Sequence, residues 1–206
     1  MEQCLLKDWA HWLRKGNIMT CIIGYAEKGN VWIGGDSAGI SGFYNKTIRA
    51  DEKVFLKGDM IFGFTSSFRM GQIIRYHFSI PSLKVGQDID SYLHTTFLDA
   101  LIDTLEENHY ASEKNNVLTG GTFLFGFKGK LYEIQSNFQI AQNVEKYNSC
   151  GCGADLAKGA MYTLEKIADD KLNPEMKIRI ALTAASKFSA GVAPPFKVLC
   201  LKTETN

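Results

Sequence analysis

Apolar residues along this chain follow two rhythms. Three pairs of short, β-prone runs are each split by a Lys-Gly dipeptide: Thr20–Ala26 from Val31–Gly35 at Lys28-Gly29, Val54–Leu56 from Met60–Thr65 at Lys57-Gly58, and Thr122–Phe127 from Leu131–Gln135 at Lys128-Gly129. Glycine supplies the positive φ that a tight hairpin needs, so each pair predicts two antiparallel strands. A last strand is predicted over Phe196–Lys202, after Pro194-Pro195. Between the strands the rhythm becomes helical. A short helix is predicted over Phe68–Phe78, and a longer one over Asp88–Asn108, where Ile89, Leu93, Phe97, Leu101 and Leu105 recur every four residues. Ala154–Ala168 carries Leu156, Ala160, Leu164 and Ile167; Asn173-Pro174-Glu175 then opens a helix running to about Phe188 with a capping asparagine, a first-turn proline and an acid.

The order is strands, two helices, strands, two helices, strand. Several strand runs are apolar on both faces, as expected when other layers cover a sheet. Two packed sheets with helices outside both would bury all these faces, an α+β, four-layer αββα sandwich. With 206 residues, no internal repeat and no low-complexity linker, 19–206 reads as one domain. Residues 1–18 read differently. Leu5, Trp9 and Leu13, with Trp12 beside them, outline a short amphipathic helix, while Asp8 and Arg14 break any secretory pattern. Three readings stand for this extension: a propeptide, an interface helix that stays attached, or an upstream mis-start with Met19 as the initiator.

Composition narrows the class. Apolar residues make up 45% and charged residues 22%, and the net charge is +1 with no basic run, so nothing points to nucleic acid or an anionic membrane. The longest apolar stretch, Leu118–Phe127, is too short and too glycine-broken to span a bilayer. Five cysteines, Cys4, Cys21, Cys150, Cys152 and Cys200, form no disulfide framework, and a reducing cytoplasm is the expected setting. Cys150 and Cys152 have no histidine nearby and no second cysteine pair, so no metal site and no cofactor is expected. The four histidines, His11, His77, His94 and His109, are scattered and read as structural or solvated.

The chemistry gathers in Met19–Gly42. A hairpin brings its ends together, so Thr20 at the start of the first strand falls near Asp36 at the end of the second. If Thr20 opens the mature chain, it holds a hydroxyl and an α-amine whose ordinary pKa of roughly 7.7–8.0 suits a base near neutrality. A nearby lysine would keep that amine less protonated. Asp36 follows two glycines in an apolar run, so its carboxylate needs a cation; Lys53 is the natural one. Cys21 is a rival nucleophile but would need cleavage one residue later.

This stretch resembles the start of proteasome β-type subunits and of the bacterial heat-shock-locus peptidase, both N-terminal-nucleophile (Ntn) hydrolases. Asp36 lies sixteen residues after Thr20, as the family pattern requires. Asp51-Glu52-Lys53-Val54-Phe55 matches the family's lysine with about one residue inserted ahead of it, Met60–Ser67 matches the strand with an oxyanion glycine at Gly63, and Gly151-Cys152-Gly153 matches the turn that opens a long helix. The match runs from Thr20 to about Leu201, and four motifs in order are fairly specific. The resemblance implies the same αββα sandwich and a threonine-type peptidase: Thr20 as nucleophile, Lys53 and Asp36 tuning its amine, and Gly63 N–H on the oxyanion. It also implies supporting roles for Cys152, where the family usually has serine, and for Ser189, where the family's preceding acid is missing. Gly39, Ile61 and Thr65 would line the first specificity pocket. A homo-oligomeric ring acting on peptides or unfolded protein is implied, with an ATP-dependent unfoldase as a compatible partner. A small-molecule amidase of the same fold and a catalytically silent shell protein are the alternatives.

Overall fold

A computed structural model describes residues 19–40, 45–114, 117–167 and 172–203. The extension over 1–18 lies outside the described residues. The strands are β1 (Ile22–Glu27), β2 (Asn30–Gly35), β3 (Ala38–Ile40), β4 (Lys46–Ile48), β5 (Val54–Lys57), β6 (Met60–Phe64), β7 (Ser112–Lys114), β8 (Val117–Thr119), β9 (Phe123–Phe127), β10 (Lys130–Ile134), β11 (Ile140–Ala141), β12 (Tyr147–Cys150) and β13 (Lys197–Leu201). The helices are α1 (Phe68–Tyr76); α2, which starts as Ile89–Tyr92 and passes through a π-helical turn at Leu93–Phe97 into Leu98–Glu107; α3 (Ala154–Ile167); and α4 (Pro174–Phe188). One sheet has the order β12-β1-β2-β13, the other β11-β10-β9-β6-β5, and all pairings are antiparallel.

The three predicted hairpins form, with one difference in turn chemistry. Lys28-Gly29 and Lys128-Gly129 are two-residue loops in which both residues have positive φ, the geometry of a type I′ turn. In the β5–β6 hairpin Lys57 belongs to the strand, the loop is Gly58-Asp59, and only Gly58 has positive φ. The tips of the two Lys-Gly turns meet. A Cβ at Gly129 would stand 2.8 Å from the Gly29 carbonyl oxygen, so Gly129 could not accept a side chain without a shift.

Successive residues of β1 point to opposite faces and enter different cores. Cys21, Ile23 and Tyr25 pack with Ala157 and Met161 of α3 and with Ile178, Leu182 and Ala185 of α4. Ile22, with Val31 and Ile33 of β2, packs against Val54, Ile61 and Leu124 of the second sheet. The far side of that second sheet carries Phe55, Phe62, Phe123, Phe125 and Phe127, covered by Ile73 and Ile74 of α1 and by Leu93, Phe97, Leu101 and Leu105 of α2. Each fully buried ring contributes about 1.5–3 kcal/mol over its exposed state.

The π-turn has a cause in the spacing. At 100° per residue, a side chain repeated every four residues drifts by about 40° per step around an α-helix. The wider turn at Leu93–Phe97 takes up that drift, and Leu93, Phe97, Leu101 and Leu105 all end fully buried. Sequence periodicity did not predict β12. Its Asn148 and Ser149 are polar yet buried: Asn148 Nδ2 donates to Glu133 (2.8 Å), and Ser149 Oγ donates to the Ile22 carbonyl (2.7 Å).

Candidate active site

The first sheet ends where β1 and β2 begin and finish. Their register pairs Ile22 with Gly35, which sets Cys21 across from Asp36 and Thr20 just beyond. The Asp36 N–H donates to the Cys21 carbonyl at 3.3 Å, and the Cys21 N–H donates back to Asp36 Oδ1 at 3.0 Å. Asp36 Oδ2 accepts from Ala38 N (2.8 Å) and Ala193 N (3.3 Å). The carboxylate is therefore held by three backbone donors before any cation is counted.

Lys53 comes from the other sheet, one residue before β5. Its stem crosses beside Gly35, where a Cβ would stand 3.6 Å from Lys53 Cβ. Nζ makes three contacts: Thr20 Oγ1 at 2.8 Å, Asp36 Oδ1 at 2.8 Å and the Ala38 carbonyl at 2.7 Å. An ammonium has three N–H bonds, and all three are used. The Lys53 and Asp36 side chains are 1% and 0% exposed. Burial drives the Lys53 pKa down, opposed by the Asp36 charge and hydrogen bond, and the net direction is below the ordinary lysine value.

Thr20 Oγ1 accepts from this ammonium and donates to the Met19 carbonyl at 2.7 Å. A cation beside Oγ1 favours any negative charge that develops there. Cys21 is no competitor: its thiol is buried, and burial pushes its pKa up to about 12.

Cys152 and Ser189 also meet, with Sγ and Oγ 3.3 Å apart. They lie on the Met19 side of Thr20: a Cβ at Gly191 would stand 2.7 Å from Cys152 Sγ and 2.9 Å from Met19 Cβ. Gly151, with φ of +100°, passes directly over the Thr20 carbonyl, where no side chain fits.

Gly63 does not join this group. It pairs with Leu124 in the ladder between β6 and β9, and Thr65 N–H, two residues on, donates to Thr122 O. Ladder alternation turns Gly63 N–H toward β9 in the same way. Its Cα faces the core between the sheets, where a Cβ would strike Ile22 and Ile33 at 2.7 and 2.6 Å. The cleft beside Thr20 is lined instead by Ala38, Ile40, Thr65, Ser66, Ser67 and Phe68, among others. Of the expected pocket residues, Thr65 lines it; Gly39 pairs with Thr47, and Ile61 lies in the core between the sheets. Ser66 has φ of +58° and its N–H has no protein acceptor among the described residues. Sequence reading missed it because a positive-φ serine leaves no mark when glycine is the residue looked for.

No cluster of three or more His, Cys, Asp or Glu that could hold a metal occurs among the described residues, and no helix there is long and apolar enough to cross a membrane. No family model matches the chain, and no curated protein matches it significantly. Solved structures do. Thiobacillus denitrificans BPH in complex with epoxomicin superposes with a TM-score of 0.72 at 21% identity, over 89% of this chain and 98% of that one. A second structure, of Thiobacillus denitrificans BPH, gives 0.74 at 19%, over 91% and 100%. Eukaryotic HslV from Trypanosoma brucei gives 0.64 at 17%, over 89% and 100%. The chain has the mixed α and β fold of these BPH and HslV structures.

Proposed function

We propose that this protein is a threonine-type Ntn peptidase with Thr20 as its nucleophile and an αββα sandwich as its frame. The observation that carries the reading is the Lys53 ammonium, buried and bonded at once to Thr20 Oγ1 and Asp36 Oδ1. A buried lysine needs a partner, and the Asp36 carboxylate suffices for that. Its contact with the Thr20 hydroxyl, which lines the cleft, has a ready chemical use. The three apolar clusters, helix on sheet, sheet on sheet and sheet on helix, support the four-layer frame.

In this mechanism Thr20 Oγ1 attacks a peptide carbonyl carbon. The hydroxyl proton passes to the free Thr20 amine, through one water, as the C–O bond forms. Lys53 stays protonated and holds Oγ1 as charge develops. The oxyanion points to the free Ser66 N–H, in the role expected of Gly63, a contact often worth about 10²–10³ in rate. The amine then returns the proton to the departing amine of the substrate as the C–N bond breaks. Water attacks the resulting ester by the same path in reverse and restores Thr20. Cys152 and Ser189 flank the place where the free amine would lie. The enzyme is proposed to work in the cytoplasm as a ring of identical subunits on peptides or unfolded chains, with an unfoldase as a compatible partner. The BPH structure with epoxomicin, a ligand carried by a protein of this fold, is consistent with such a site.

While Met19 is attached, the Thr20 nitrogen is an amide and cannot act as the base. Protein trimmed to begin at Thr20 is expected to hydrolyse peptide amides and to gain one inhibitor mass on incubation with a peptide epoxyketone. Thr20→Ala is expected to do neither, and Thr20→Ser to keep part of the activity. Equal hydrolysis rates with and without an intact Met19–Thr20 bond would overturn the mechanism.

A further inference from the structure

The cleft beside Thr20 shares a wall with a second cleft. Phe64 and Phe68 line both. On the far side lie Asp51, Glu52, Gln72 and Arg75. The two walls differ in how firmly they are set. Phe64 is a strand residue, 5% exposed, with its ring filling the space where Gly71 of α1 lacks a Cβ. Phe68 is the first residue of α1, half-buried, just after the capping Ser67.

Phe68 packs against the edge of the core and is also held by side chains around it. Phe64 meets it edge-on, with ring centroids 5.7 Å apart at 81°. The Arg49 guanidinium lies over its ring at 3.9 Å. Arg49 is itself fixed, because Nε and Nη2 each donate to a different oxygen of Asp51 at 2.6 Å. A planar guanidinium locked in a two-point ion pair makes a flat, rigid cover for an aromatic face.

We propose that Phe68 is a partition that sets the depth of the side-chain pocket next to Thr20 and so restricts the protein to small apolar side chains at the residue whose carbonyl is attacked. The proposal rests on the peptidase reading and names its substrate class. The cavity on the Thr20 side is about 60 Å³ and the one behind Phe68 is about 50 Å³. In this proposal the ring leaves room for an alanine- or valine-sized group and stops a leucine or phenylalanine side chain. Without it only Phe64 stands between the two spaces. One methylene of misfit in such a pocket is worth about ten-fold or more in selectivity.

The test separates binding from turnover. In the Thr20→Ala background, acetylated tripeptide amides ending in alanine, leucine or phenylalanine are titrated and followed by NMR. With Phe68 present the alanine peptide is expected to bind best, by about ten-fold over phenylalanine. Phe68→Ala is expected to reverse that order, and Phe68→Leu, which keeps the start of α1 packed, to move it the same way by less. If Phe68→Ala does not fold, Phe68→Leu decides. An unchanged order in whichever of these variants fold, judged by melting, overturns the partition. The same peptides are then offered to protein trimmed to Thr20. Absence of hydrolysis alongside a reversed binding order would sink the peptidase reading and leave the partition standing; hydrolysis with an unchanged order would do the opposite.

Discussion

Removing either member of the Lys53–Asp36 pair abolishes activity in the proposed mechanism, but the two losses should differ sharply in stability. Asp36 accepts four hydrogen bonds: from Lys53 Nζ and Cys21 N on Oδ1, and from Ala38 N and Ala193 N on Oδ2. Asp36→Ala leaves three backbone N–H groups without that acceptor, each costing about 1–3 kcal/mol when buried. It also strands the Lys53 ammonium, although a lysine whose pKa already lies low can shed its proton and limit that cost. The expected total is about 5 kcal/mol or more, a large part of a typical domain's stability. In Lys53→Met the carboxylate keeps its three N–H donors, which stabilise the charged form, and the thioether fills the lysine's channel. The expected cost is about 2–3 kcal/mol, at the low end for breaking a buried pair.

Reversible urea unfolding at one fixed protein concentration reads both values, and melting should follow at about 2–4 °C per kcal/mol for a chain of this size. Adding Lys53→Met to Asp36→Ala should cost far less than the sum of the two, because the stranded ammonium is removed with its partner. The reasoning fails if Lys53→Met is the more damaging change, or if the two costs add. The first result would mean that the lysine, not the carboxylate, organises the end of the hairpin; the second, that the two side chains act independently.

Two further outcomes follow from other parts of the structure. The outer faces of α3 and α4 expose Tyr162, Ile167, Met176 and Phe188, and this motivates the proposed ring: light scattering on purified protein at micromolar concentration should show a closed oligomer, and monomer alone would favour the small-amide alternative. Glu165 links α3 to β1 and α4. Burial pushes its pKa up, but the hydrogen bonds from Lys177 (2.6 Å) and Tyr25 (2.9 Å) and the Lys177 charge outweigh this and hold it below the ordinary glutamate value. A depressed carboxyl stabilises the fold above its unfolded pKa and loses that contribution as pH falls through the folded value. The stability gap between wild type and Glu165→Gln should therefore close below about pH 4.5 in urea titrations; a gap that stays constant would show that the bonds to Glu165 do not favour its charged form.

Thr20, Asp36 and Lys53 could be found in the sequence because each signal survives without coordinates. The hairpin fixes that residue 20 and residue 36 share an end, and a carboxylate in an apolar run demands a cation. Nothing comparable marks the oxyanion donor. Gly63 matched a pattern, yet the direction of a strand N–H depends on ladder parity, which only the pairing with Leu124 and Thr122 reveals. The proposed donor, three residues further along the chain, is a serine in a glycine's conformation, and its φ of +58° goes with Ser66 Oγ accepting from Thr122 N at 2.9 Å. The same limit hid β12, whose buried Asn148 and Ser149 are satisfied by partners far away in sequence. Apolar rhythm reports which face is dry. It does not report where a buried polar atom finds its partner, and in this molecule the catalytic candidates and the strand beside them are built from such atoms. The ammonium of Lys53, reaching from one sheet to a carboxylate and a hydroxyl at the end of the other, is therefore both the contact that ties the sheets at this end and the one on which the proposed chemistry turns.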